Sequence, residues 1–129
     1  MDLKLSPENE AFRQEVGDFV HDNLPADIRD KMKQGLLSDK QDYERWNAIL
    51  HAKGWVAPAW PVEHGGTDWD TEKIYIFEEQ LVANHAPPNS GFGTGLVAPV
   101  IIAFGSEEQK ARYLPRILSC EDWWCQGYS

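Results

Sequence analysis

Apolar positions recur at helical spacing through most of this chain. Phe12, Val16, Phe19 and Val20 fall on one face after Ser6-Pro7. A first helix is therefore expected with Ser6 as N-cap and Pro7 at the first helical position, where a missing N–H is no loss. Asn23-Leu24-Pro25 stops it, and Pro25 starts a shorter helix with Ile28 and Met32 on one side, ended by Gly35. Ser38 and Gln41 have capping-box spacing, and Tyr43, Trp46, Ile49 and Leu50 form the next apolar stripe before Gly54. Another helix begins at Asp70-Thr71, with Ile74, Phe77 and Leu81 on its buried face and Glu78 and Glu79 outside, and Pro87-Pro88 ends it.

Residues 96–104 are all apolar or proline, which suits a short helix buried on most of its circumference; a strand of similar length fits the pattern too. Gly105 offers a left-handed helix end. Ser106 and Gln109 then form a capping box, with Glu107 and Glu108 at the positive end of the next helix. That helix should run to about Leu114, where Pro115 breaks it and leaves Ile117-Leu118 on a short turn. Residues 54–66 read as an ordered loop, because Pro58, Pro61 and Gly65-Gly66 forbid a regular helix while Trp55, Trp60 and Trp69 can pin the chain. Residues 123–129 have the aromatic content of a strand. The pattern as a whole predicts an all-α fold, an antiparallel bundle of about six helices around one core.

Length and charge narrow the field. At 129 residues one compact domain is expected. The formal charge of −9 argues against a nucleic-acid surface and against a polybasic membrane contact. Cys120 and Cys125 have no paired set or His partner nearby, so no metal site is assigned. The opening MDLKLSPENE lacks a basic start followed by an apolar run, and the run at 96–104 is far short of the ~20 residues that span a bilayer, so a cytoplasmic protein is expected.

Candidate chemistry is sparse. Glu63 and His64 are neighbours on a loop without a third partner, and no catalytic residue is assigned. The segment PNSGFGTG carries glycine at 91, 93 and 95, with no Lys-Ser/Thr pair or preceding strand to make a phosphate loop. Removal of side-chain volume at alternate positions points to space instead.

The order IIAFGSEEQKARYLPRIL, a short acidic turn and WWCQGYS closely resembles the end of the N-terminal helical domain of acyl-CoA dehydrogenases, and the loop GWVAPAWPVEHGG resembles a second landmark of that family. The resemblance extends over essentially the whole chain. It implies that residues 1–122 are the N-terminal helical domain and that 123–129 are the first residues of a flavin-binding middle β domain. The implied reaction is FAD-dependent oxidation of an acyl-CoA thioester to the 2,3-enoyl-CoA, as in fatty acid β-oxidation and related lipid metabolism. In that family a carboxylate of the C-terminal helical domain removes the α-proton and the β-hydrogen leaves as hydride to the flavin, so the base lies outside this chain. The implied cofactor contacts are Trp124, Gln126, Tyr128 and Ser129. The implied wall of the acyl pocket includes Gly91, Phe92 and Gly95. Electron-transfer flavoprotein as partner and a homo-oligomeric state are implied as well. This fragment alone is expected to be inactive and not to retain FAD.

A different class also fits the composition: a free-standing helical interaction module without cofactor, binding through a tryptophan-rich surface. For residues 123–129, missing sheet partners predict disorder, or order borrowed from another copy of the chain.

Overall fold

The computed structural model describes residues 4–88 and 91–128. Its α-helices are α1 Pro7–Asn23, α2 Ala26–Lys33, α3 Lys40–Lys53, α4 Thr71–Ala83, α5 Ala98–Phe104 and α6 Glu107–Leu118. A 3-10 turn at Val62–His64 and a π-helical segment at Phe92–Val97 complete the regular elements, and no strand occurs among the described residues. The expected all-α fold of about six helices is what forms among the described residues. Two compact units contain them, Met1–Asp42 with Trp69–Pro88, and Tyr43–Asp68 with Asn89–Ser129.

In the first unit α1 packs on α4. Ser6 accepts from the Asn9 amide at 3.1 Å with Pro7 leading the helix, so the first cap forms as the sequence predicts. Val16 and Val20 of α1 and Ile76, Phe77 and Leu81 of α4 are buried. Gly17 permits the close approach, since a Cβ there would lie 2.9 Å from the Gln80 side-chain oxygen. Trp69 stacks edge-on against Phe12 at 4.8 Å and tilted against Phe77 at 5.4 Å. Arg29 of α2 donates to the His21 carbonyl at 2.6 Å and so serves the C-terminal end of α1, where acceptors outnumber donors. α4 ends at Ala83, before Pro87-Pro88, because His85 takes the left-handed conformation at φ 59° and the Ala86 amide turns back to the Leu81 carbonyl.

The cap of α3 is one residue later than expected. Asp39, not Ser38, accepts from the Asp42 amide at 3.0 Å, and Asp42 accepts from the Asp39 amide at 3.2 Å. Lys31 on α2 explains the choice. Its ammonium lies 2.6 Å from buried Asp42 and 3.4 Å from Asp39, so two carboxylates at the positive helix end share one cation.

In the second unit Ala57, Trp60, Ala98, Leu114 and Ile117 form the core, with Val97, Ile101, Ile102, Leu118 and Trp124 packed against it. The Ser106–Gln109 capping box starts α6 as predicted. Gly105 is extended at φ −72°, ψ 153°, not left-handed. Its lack of a Cβ serves space instead, because a Cβ would meet the Ile101 carbonyl at 2.6 Å. α6 also continues through Pro115 to Leu118. Pro115 and Ala111, whose carbonyl loses its helical donor, both lie on the exposed face, where water can serve that carbonyl. Leu114 and Ile117 meanwhile stay in the core.

The run 96–104 is not buried on most of its circumference. Ala98 is fully buried, but Leu96, Val100 and Phe104 are 47%, 56% and 86% exposed. Within this unit α5 meets α6 and the π-helical segment, and neighbours on one side cover one side of a helix.

Candidate functional site

The glycine-rich stretch is the π-helical segment Phe92–Val97 with Gly91 as its N-cap. In it the Ala98 amide reaches back five residues to the Gly93 carbonyl. The three glycines serve different ends. A Cβ at Gly91 or Gly95 would meet nothing within 4 Å, whereas one at Gly93 would lie 3.1 Å from the Ile117 side chain and 3.7 Å from the Trp124 ring. Gly93 is thus a packing residue that lets the segment settle on α6, and Gly91 and Gly95 border open space. Phe92, at 45% exposure, begins an apolar stripe that continues through Leu96, Val100 and Phe104 at four-residue intervals. The spacing is present in the sequence, but the unbroken apolar run hides it. The predicted pocket residues Gly91, Phe92 and Gly95 therefore share one segment beside this stripe.

The loop carrying Trp60 holds the segment from behind. The Trp60 indole N–H donates to the Thr94 carbonyl at 2.9 Å. The loop is closed by bonds from the Gly66 amide to Pro61 at 3.1 Å and from the Thr67 hydroxyl to Pro58 at 3.1 Å. Glu63 and His64 lie on the 3-10 turn of this loop, which Gly65 ends at φ 100°.

Beyond α6 the chain turns sharply, with Cys120 in the left-handed region at φ 62°. Arg116 locks the turn through all three guanidinium nitrogens: Nε and Nη2 grip the Asp122 carboxylate at 2.9 and 2.8 Å, and Nη1 reaches Glu121 at 2.8 Å. These bonds hold the Asp122 carboxyl below its ordinary range and raise Arg116. The turn delivers Trp123 edge-on to Tyr43 at 6.2 Å and Trp124 edge-on to Tyr113 at 5.8 Å. The two rings are therefore placed by the chain's own helices, and neither disorder nor a second copy is needed for them. Residues 123–128 form no strand; a strand needs a neighbouring strand to bond, and none occurs among the described residues.

Asn47 ties this end to α3 by donating to the Leu118 carbonyl at 2.9 Å. A small open pocket of about 30 Å³ lies between Asn47, Gly93, Thr94, Asp122, Trp123 and Trp124. Trp124 is one of its lining residues, and the Trp124 indole nitrogen is buried with no hydrogen-bond partner. The structure thus brings Trp124 to the glycine segment, while Gln126 and Tyr128 are exposed, Tyr128 by 89%. Ser129 lies outside the described residues.

A tryptophan-rich binding surface does not form. Trp46, Trp55 and Trp60 are buried, Trp69 and Trp124 are half-buried, and Trp123 is 42% exposed. Among the described residues no group of three His, Cys, Asp or Glu side chains converges as a metal site. No helix of the described residues is long and apolar enough to cross a membrane.

Residues 6–121 match the family described as Acyl-CoA dehydrogenase, N-terminal domain. The chain belongs to this family. Acyl-CoA dehydrogenase IpdE1 of Mycolicibacterium smegmatis is 36% identical over an alignment 129 positions long, which covers 95% of this chain and 32% of that protein. Acyl-CoA dehydrogenase FadE26 of Mycobacterium tuberculosis is 29% identical over all of this chain and 32% of its own length. Among solved structures, the Tcur3481-Tcur3483 steroid ACAD superposes with a TM-score of 0.77 at 28% identity, covering 92% of this chain and 30% of that one. The ChsE4-ChsE5 complex from Mycobacterium tuberculosis gives 0.73 at 28% identity, covering 92% and 29%. This acyl-CoA dehydrogenase N-terminal domain thus spans about a third of the length of the curated relatives it matches.

Proposed function

We propose that the chain is the N-terminal helical domain of an FAD-dependent acyl-CoA dehydrogenase, and that its second unit forms one wall of the acyl pocket and one edge of the flavin site. The observation that carries this reading is the exposed stripe Phe92, Leu96, Val100 and Phe104, flanked by the open positions of Gly91 and Gly95. Fully burying a large apolar side chain is worth about 1.5–3 kcal/mol, and these four, left 45–86% exposed, forgo a sizeable part of it, a bias toward an apolar ligand or covering element. The missing side chains at 91 and 95 leave width for a bulky acyl group. Because one structural relative is a steroid acyl-CoA dehydrogenase, fused-ring acyl-CoA esters are the class to try first.

Trp124 supplies a buried donor without an acceptor, and the adjoining residues 125–128 are exposed, with open space at Gly127. The exposed stretch 125–128 offers accessible amides and polar side chains that suit the carbonyl-bearing edge of a flat heteroaromatic ring, so this stretch is compatible with a flavin. Trp124, Gln126, Tyr128 and Ser129 would hold it. When bound, the flavin takes up the two electrons of the oxidation. This chain's contribution is to place the acyl group along an apolar wall and exclude water there, while Arg116 and Asn47 keep the turn before Trp123 in place. The base belongs to another part of the protein, and residues 123–129 open the middle β domain. Electron-transfer flavoprotein is the expected electron acceptor, a homo-oligomer the expected assembly, and the cytoplasm the expected location.

The test is made in the protein carrying the remaining domains, by acyl-CoA-dependent reduction of a dye. Gly95→Leu should lower kcat/KM for bulky acyl-CoA esters well before it affects short straight ones. Equal losses for both would refute the pocket wall. The 129-residue chain alone should emerge colourless from gel filtration with FAD, and a stoichiometric yellow complex would refute the assignment of most of the flavin site elsewhere.

A further inference from the structure

The π-helical register of Phe92–Val97 has a chemical problem built into the sequence, and Trp60 answers it. In a π-helix each carbonyl accepts from the amide five residues on, as the Gly93 carbonyl does from Ala98. The next carbonyl, Thr94, would need the amide of residue 99, which is proline and has no N–H. The Trp60 indole donates to that carbonyl at 2.9 Å. In the alternative α-helical register the Ala98 amide would move to Thr94, and Pro99 would instead fail the carbonyl of Gly95, an exposed residue that water can serve. The wide register therefore leaves a carbonyl on a half-buried residue for an outside donor to serve, and the narrow one leaves a carbonyl on an exposed residue.

Trp60 is well placed for the task. Its side chain is 6% exposed. Its loop leaves no slack, because Gly66 is pressed onto the Trp60 carbonyl and Thr67 bonds to Pro58. One residue of slippage in the segment would rotate Phe92 and Leu96 relative to Val100 and Phe104, which lie beyond Pro99 on α5.

We infer that Trp60 is a positioning residue whose indole N–H replaces the donor missing at Pro99, holds Phe92–Val97 in the wide register and so sets the line of the apolar stripe. Its consequence for acyl selectivity rests on the pocket reading above; the register itself does not. The inference is tested in the 129-residue chain by replacing Trp60 with benzothienylalanine, which keeps the shape and removes the N–H, with Trp60→Phe as a second variant. Scalar coupling across the hydrogen bond reports which carbonyl the Ala98 amide bonds. In the unaltered chain it should be Gly93, and in either variant the ratio of registers should move roughly fivefold to tenfold toward Thr94. A folded variant that keeps Ala98 bonded to Gly93 would overturn the lock. No substrate enters this experiment, so a failure of the pocket reading would leave its result unchanged.

Discussion

The tightest backbone approach in the second unit predicts its most damaging small substitution. A Cβ added at Gly66 would sit 1.5 Å from the Trp60 carbonyl oxygen and 3.1 Å from that of Pro61. Both are backbone atoms, so no side-chain rotation relieves the overlap. Reaching even 3.0 Å requires the loop to shift by about 1.5 Å. Such a shift endangers the bonds that close it: Gly66 amide to Pro61 at 3.1 Å, Thr67 amide and hydroxyl to Pro58 at 3.4 and 3.1 Å, and Trp60 to Thr94 at 2.9 Å. Losing three of these at about 1 kcal/mol each gives a destabilisation of about 3 kcal/mol for Gly66→Ala. At this chain length that corresponds to a melting temperature about 10 °C lower. Gly91→Ala and Gly95→Ala are the controls. Their Cβ atoms meet nothing within 4 Å, and restricting the unfolded chain should leave them neutral or up to about 1 kcal/mol more stable. Urea titrations followed by tryptophan fluorescence and far-ultraviolet circular dichroism measure all three. Gly66→Ala within about 0.5 kcal/mol of the parent, or Gly95→Ala the more harmful of the two, would refute the packing described for this loop.

The Arg116 clamp should give an acid limb to the tryptophan signal. Asp122 is held below its ordinary value by Arg116, so the clamp contributes fully above the unfolded carboxylate range near pH 4 and is lost as pH falls through the lower folded value. Arg116→Gln should flatten that limb, and an unchanged acid profile would count against the clamp. Leu114, 2% exposed in the core of the second unit, should cost about 3 kcal/mol when truncated to alanine, measured by urea unfolding. Phe104→Ser should stay within about 0.5 kcal/mol of the parent in the same assay, because the ring is 86% exposed; a larger loss would mean that the stripe is covered within the chain.

Much of this protein was legible from local signals, because they act within a few residues. Ser6-Pro7 and Ser106 with Gln109 cap their helices as read, since a cap needs only a side-chain oxygen three residues from a free amide. The family, too, followed from short motifs. Where the reading failed, a distant partner had intervened. Asp39 displaced Ser38 as the cap because Lys31, from another helix, rewards two carboxylates there. Pro115 stayed inside α6 because Leu114 and Ile117 gain burial and the freed carbonyl faces water. The apolar run 96–104 gave no sign of which side would be covered; α6 and the π-helical segment decided that, leaving Leu96, Val100 and Phe104 outside. Periodicity cannot reveal a π register whose third donor arrives from a tryptophan 34 positions away, since that choice exists only once the loop and the segment have met.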